Sequence, residues 1–336
     1  MARERLVLVG YSVDEDLAGI NTRVLGDEAS IAFLRRFPKG ERMEVLSRAE
    51  ILISWNLRRE VPSGALQQAH ALRFIQLLSA GADDVDFAAV PEQAVLASNV
   101  GAYAVPMAEH VMAMALGLAK RLTQQDSALA SGRFDPNALS RTLNGAVCGI
   151  LGLGGVGKAT ARLMQAFGAT VYAVNSTGRT TEPVEFIGTL ADLDEVLAAV
   201  DVLVVALPLT KATRGLLGPR EFGLMKRDAM LVNVARAAII DERALYEHLR
   251  ANPEFLAAID AWWDEPAGDG GFQTSYPFFE LPNIIGSPHN SGMVPGIRQF
   301  AARRGAQNVL RWMRDEPVLG VVRREDYPQA GSLAGG

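Results

Sequence analysis

The 336-residue sequence contains one cysteine, Cys148, so no disulfide can form within the chain. That thiol lies in an apolar run with no base near it in sequence, and a packed, inert role is expected of it. Positive charge is scarce as well. Lysine and arginine number 33 against 38 acidic residues, and the net charge of -5 gives no general attraction to nucleic acid or an anionic membrane. Long apolar runs are missing: the richest stretch, Ala104 to Leu118, carries Glu109 and His110 and falls short of the roughly 20 residues that span a bilayer. The opening MARERLVLVGY meets Asp14, Glu15 and Asp16 too early for a signal peptide and reads as a strand, so a cytoplasmic location is expected. No metal-ligand spacing, solenoid repeat or heptad occurs, and the tail Gly331 to Gly336 reads as disordered.

What the chain has is apolar content, 49% of its residues, enough for one or two cores; at roughly 100 to 200 residues per domain, the length favours two. The stretch AVCGILGLGGVGKATARLMQAFGATVYAVNSTGR, Ala146 to Arg179, organises the rest. An apolar run to Leu151 ends in Gly152, Gly154 and Gly157, spaced G-x-G-x-x-G. A helix follows, with Ala159, Leu163, Met164 and Phe167 expected on one face and Gly168 as its stop, and then a strand, Thr170 to Val174. In such a unit the first glycine permits a tight turn and the second lets backbone approach a pyrophosphate. The third lets helix and strand pack closely, and the helix N-terminus supplies free N-H groups. A dinucleotide site at Gly152, Gly154, Gly155, Val156 and Gly157 is the reading. Gly152 to Lys158 also fits G-x-x-x-x-G-K, but Ala159 has no hydroxyl for Mg2+, which removes the nucleoside triphosphate alternative.

Upstream, Leu6 to Val9, Ile51 to Trp55, Phe74 to Leu78 and Val95 to Ala97 read as strands, and Ser63 to His70 as a helix. Downstream, Val202 to Leu207, Met230 to Val234, Ala257 to Ala261 and Asn283 to Gly286 are strands, with a helix at Asp241 to Arg250. A long helix from Pro106 to about Leu122 joins the halves. Alternation of this kind implies parallel sheets covered by helices, with ligands beyond the carboxyl ends of the strands. Two loops of the first half then become candidates, Trp55-Asn56 and Ser79 to Ala82; small residues in the second would let backbone N-H groups meet a carboxylate, or mark a plain turn. In the second half Asn175, Pro208, Asn233, Arg236, Asp260 and His289 each fall just past a predicted strand, which gathers them at one sheet edge.

Here the sequence resembles the D-isomer-specific 2-hydroxyacid dehydrogenases. The family pattern N-x-x-R-G-x-x-x-D stands as Asn233 to Asp241, with Ala237 for the usual glycine; D-V-F-x-x-E-P stands as Asp260 to Pro266, and L-P-N-x-x-x-x-P-H as Leu281 to His289. Family-like segments also occur at Ser79 to Asp86, Pro106 to His110 and Ala206 to Thr213. The resemblance implies that His289 exchanges the proton of the keto or hydroxyl oxygen, which histidine, with an ordinary pKa of about 6.5, can do near neutral pH. It implies that Glu265 orients and charges that imidazole, and that Arg236 holds the substrate carboxylate together with the amides near Ala80 and Gly81. Asp260 would contact the nicotinamide carboxamide, with Pro208, Thr213 and Gly292 also at the cofactor. Trp262 and Trp263 are bulkier than the family's usual residues and either narrow the pocket or fill the core. His70, His110 and His248 fall within helical patterns and are expected to pack or meet solvent. The aromatic loop Phe272 to Phe279, with Trp55, Asn56 and Met107, is expected to line the substrate's end.

The expected architecture is α/β, two doubly wound parallel-sheet domains. Residues 1-100 with 290-336 form a flavodoxin-like substrate domain and 101-289 a Rossmann cofactor domain, with catalysis in a hinged cleft between them. The position that carries an acid in NAD-specific sites is Asn175, followed by Ser176, Thr177 and Arg179; loss of the charge and gain of donors favour NADP, with NAD as the alternative if Arg179 points to water. The reaction implied is hydride transfer between NADP(H) or NAD(H) and a small 2-keto or D-2-hydroxy acid, with no nucleic acid, membrane or metal involved, in a homodimer. A nucleotide-sensing corepressor of the same fold is the rival.

Overall fold

The computed structural model describes residues 5-11, 14-266 and 270-328; the tail expected to be disordered lies outside them. The chain divides into two compact units, Met1–Tyr103 with Val294–Gly336, and Ala104–Met293.

The first unit is built on five parallel strands, β1 (Arg5–Val9), β2 (Ala29–Phe33), β3 (Ile51–Ser54), β4 (Phe74–Leu77) and β5 (Val95–Ala97), in the order β2-β1-β3-β4-β5. β3 and β4 are buried at every residue, because a parallel sheet is covered on both faces. Side chains alternate across it. Val7, Val9, Ile51 and Ile53 pack with α1 (Glu15–Leu25) and the C-terminal helix Ile297–Met313, while Leu8, Leu52 and Ile75 pack with α2 (Arg42–Arg48) and α3 (Leu57–Glu60). The helix expected at Ser63 to His70 is only a single 3-10 turn, Leu66–Gln68; Gly64, at φ 73, takes a left-handed turn that no α-helix continues through.

In the second unit seven parallel strands follow the order β12-β11-β10-β9-β6-β7-β8. They are β6 (Val147–Leu151), β7 (Thr170–Val174), β8 (Phe186–Gly188), β9 (Val202–Val205), β10 (Met230–Asn233), β11 (Leu256–Ile259) and β12 (Ile284–Gly286). One face is covered by α4 (Ala104–Ala119) and α6 (Gly155–Ala166), the other by α7 (Leu193–Ala199), α8 (Pro219–Leu224) and α9 (Glu242–Ala251). Between α4 and β6 run α5 (Leu122–Ala130) and an exposed arm. The face of α6 differs from expectation: Gly157, Thr160, Ala161 and Met164 are buried, whereas Phe167 is 44% exposed beyond the helix. The close approach allowed by Gly157 rotates that stripe onto the sheet. Cys148 is fully buried and burial pushes its thiol up to about 12, in keeping with an inert role. No described helix is long and apolar enough to cross a membrane.

Candidate active site

Strand order reverses between β6 and β9, where an open doubly wound sheet leaves a crevice at its carboxyl edge. The three motif glycines serve it differently. Gly152 has φ 100, and a Cβ there would stand 2.6 Å from the Ala206 oxygen; a Cβ on Gly157 would stand 2.0 Å from the Gly152 oxygen. Gly154, the N-cap of α6, has nothing within 4 Å of that position, so open space faces the first turn of the helix, where Gly155, Val156 and Gly157 supply amides. A tight turn, a close packing contact and an open cradle are what a pyrophosphate needs. On the other side of the crevice Thr213 is buried, and its hydroxyl donates to the Pro208 oxygen at 2.7 Å and accepts from Thr210 N, which closes the loop after β9.

Past β7, Asn175 is engaged in its own turn. Its Oδ1 accepts from Thr177 N at 2.9 Å and Gly178 N at 2.7 Å, and its Nδ2 donates to the Arg179 oxygen at 2.8 Å. Asparagine thus shapes the loop. Ser176, Thr177 and Arg179 are exposed on it, and the Arg179 guanidinium has no hydrogen bond or ion pair among the described residues.

The residues expected to carry chemistry converge past β10, β11 and β12. His289 Nδ1 lies 2.8 Å from both Glu265 oxygens, so the ring donates through Nδ1 and leaves Nε2 for a reactant. Glu265 Oε1 also accepts from Trp262 N at 2.9 Å. Burial pushes the Glu265 carboxyl up, but the bonds from His289 and Trp262 and the charges of His289 and Arg236 outweigh it and hold the carboxyl below its ordinary value. Arg236 is half-buried, with Nη1 donating to the Ala235 oxygen. Ala237 opens a 3-10 turn and is not among the positive-φ residues, so the missing glycine costs this backbone nothing.

Asp260 is fully buried. Its Oδ1 accepts from Ser287 Oγ at 2.5 Å and Asn290 N at 3.1 Å, and its Oδ2 from Ser291 N at 3.2 Å, while its backbone oxygen takes His289 N at 2.9 Å. Gly292 follows in the same turn. His110, expected to pack, instead reaches this cluster from α4: its Nε2 is 2.9 Å from Ser287 Oγ and 3.9 Å from Asp260 Oδ1. Sequence reading missed both His110 and Ser287; the only signal was that His110 lies in a family-like segment. His248 does pack, stacked on Phe222, and burial pushes its imidazole down.

Trp262 both lines a hollow and braces the site. A cavity of about 490 Å³ beside the His289-Glu265 pair is walled by Trp262, Phe272, Phe279 and Pro288, and the indole Nε1 donates to the Ser287 oxygen at 2.9 Å. Trp263 is stacked on Phe278 in the core. In the first unit, Asn56 caps α3 by accepting from Arg59 N at 3.1 Å, and Ala80 and Gly81 form the turn after β4, closed by Ser79 Oγ on the Gly81 oxygen.

A family model described as D-isomer specific 2-hydroxyacid dehydrogenase, NAD binding domain, matches residues 112–291. D-3-phosphoglycerate dehydrogenase of Archaeoglobus fulgidus is 31% identical over 94% of this chain and 59% of its own length. Glyoxylate reductase of Aeropyrum pernix is 30% identical over 77% of this chain and 79% of its own. The chain spans about three fifths of the length of phosphoglycerate dehydrogenases it matches, 58% to 63%. The crystal structure of a D-isomer specific 2-hydroxyacid dehydrogenase family protein from Aeromonas salmonicida superimposes with a TM-score of 0.76 at 25% identity, covering 96% of this chain and 99% of that one. The glycine cradle at the sheet reversal and the histidine-glutamate pair at its carboxyl edge thus sit in a sequence that matches across most of its length, and the chain belongs to the D-isomer-specific 2-hydroxyacid dehydrogenase family.

Proposed function

We propose that this protein transfers hydride between a nicotinamide dinucleotide and a small 2-keto acid or D-2-hydroxy acid. The observation that carries the reading is the His289 ring, fixed through Nδ1 on both Glu265 oxygens at 2.8 Å at the carboxyl edge of the dinucleotide sheet. When bound, the cofactor supplies the hydride in reduction and accepts it in oxidation. In reduction His289 Nε2 gives its proton to the carbonyl oxygen, and in oxidation it takes the hydroxyl proton. Glu265 keeps the ring oriented and favours its protonated form, and Arg236 holds the carboxylate with its planar fork. Asn56 and the amides near Ala80 and Gly81 are assigned to the substrate, and residues 1-100 with 290-336 to the substrate domain.

Residues 101-289 are assigned to the cofactor, with Gly154 facing open space and Pro208, Thr213, Asp260 and Gly292 at its nicotinamide end. NADP is the preferred form, because Ser176, Thr177 and Arg179, whose guanidinium has no partner among the described residues, offer a 2'-phosphate donors where an acid would repel it. Arg179→Ala should weaken NADPH binding and leave NADH nearly unchanged; equal losses would withdraw the preference. A homodimer is supported by the exposed apolar residues Leu122, Leu129, Phe134 and Leu139 on α5 and the arm after it. A cytoplasmic location belongs to the same proposal. The test is oxidation of NADPH and NADH against a panel of 2-keto acids that includes glyoxylate and hydroxypyruvate. Cofactor binding without turnover of any member would favour a nucleotide-sensing protein.

A further inference from the structure

The segment that carries His289 is tied down by backbone and side-chain bonds, and three of them end on one buried carboxylate. After β12, Ser287 N donates to the Ile259 oxygen, His289 N to the Asp260 oxygen, and Asn290 N and Ser291 N to the Asp260 carboxylate. Within this grip His289 has φ 51, a left-handed backbone that an L residue keeps only when its surroundings enforce it. Asp260 is fully buried, so its position depends on the groups that offset its desolvation. Burial pushes its carboxyl up, yet the bonds from Ser287 and Ser291, with the nearby His110, bring it below the ordinary value. Ser287 has a single hydroxyl proton and gives it to Asp260 at 2.5 Å. The contact at 2.9 Å from His110 Nε2 must then be a donation by the histidine to Ser287 Oγ, which places the ring proton on Nε2.

We propose that His110 is a positioning residue of the active site. Through Ser287 it holds Asp260 as a carboxylate in the place where Asp260 clamps the 287-291 segment, and so keeps the His289 ring aligned with Glu265. The proposal rests on the reading of His289 as the proton donor. It also gives the nicotinamide-side aspartate a second duty, as the acceptor on which the bonds from Ser287, Asn290 and Ser291 converge.

The test compares His110→Phe, which keeps size and loses the donor, with His110→Gln, which keeps a donor near the same place, and with Ser287→Ala and the Phe/Ala double variant. The bond that His110 gives is to a neutral hydroxyl and corresponds to about 2- to 10-fold, so His110→Phe should lower kcat by that factor and leave KM for the keto acid nearly unchanged. His110→Gln should restore most of the loss, and the double variant should be no worse than the worse single, because both break one chain. Amide exchange across residues 287-291 of the cofactor-free enzyme should rise in His110→Phe and not in His110→Gln. Wild-type kcat and exchange in His110→Phe, or additive losses in the double variant, would overturn the proposal. If His110→Phe does not fold, Ser287→Ala against Ser287→Thr decides the same point. Should the wild-type protein reduce no 2-keto acid, the functional reading fails, while the exchange comparison still decides whether His110 holds the segment.

Discussion

The charge on Glu265 can be removed while the shape of the pair is kept, by Glu265→Gln. The glutamine amide oxygen can still accept from His289 Nδ1, so the ring stays oriented while the imidazolium loses its neighbouring negative charge. Two unit charges about 4 Å apart at an effective dielectric of about 20 interact by about 4 kcal/mol. Both side chains are more than a third exposed, 37% for His289 and 39% for Glu265, so solvent removes much of that. Losing the anion disfavours the protonated ring, so keto-acid reduction should fade at a lower pH than in wild type, and oxidation should persist to lower pH. The assay is the pH profile of kcat in both directions with saturating cofactor. A profile that stays in place, or moves to higher pH, would refute the electrostatic role of Glu265.

His289→Ala should lower turnover by about 100- to 10,000-fold with cofactor binding kept, as fluorescence titration would report, since His289 stands apart from the glycine cradle. Gly157→Ala should reduce both cofactor affinity and Tm, because the new Cβ would meet the Gly152 carbonyl oxygen at 2.0 Å and force the turn and α6 apart; a variant with unchanged Tm would mean that the turn yields freely. At low pH the two carboxyls held below their ordinary values, Asp260 and Glu265, contribute stability that is present above the unfolded-state values near about 4 and is lost as pH falls through the folded-state values. Tm measured from pH 6 down to about 3 should therefore fall more steeply in wild type than in Asp260→Asn.

Local chemistry was enough for much of this protein. An apolar run ended by Gly152, Gly154 and Gly157 can hardly be anything but strand, turn and helix, because only glycine tolerates φ 100 at the first position and a 2.0 Å Cβ clash at the third. Fully buried parallel strands such as β3, β9 and β11 show as unbroken apolar runs. The placement of Arg236 and His289 just past strands at the sheet's carboxyl edge was legible from the pattern of runs, whereas Glu265 entered only through its family motif. Of the four edge strands, β5 and β12 were read and β2 and β8 were not, because ASIAF and FIG carry too little apolar pattern to stand out. The contacts of Asn175 and His110 were equally hidden. Asn175 closes a turn on itself, and whether an asparagine amide faces its own loop or a ligand is set by backbone geometry rather than residue type. His110 meets Ser287 across 177 positions of sequence, because α4 packs against the sheet beside β11 and β12; no local pattern encodes a partner that only the packed layers bring within 2.9 Å.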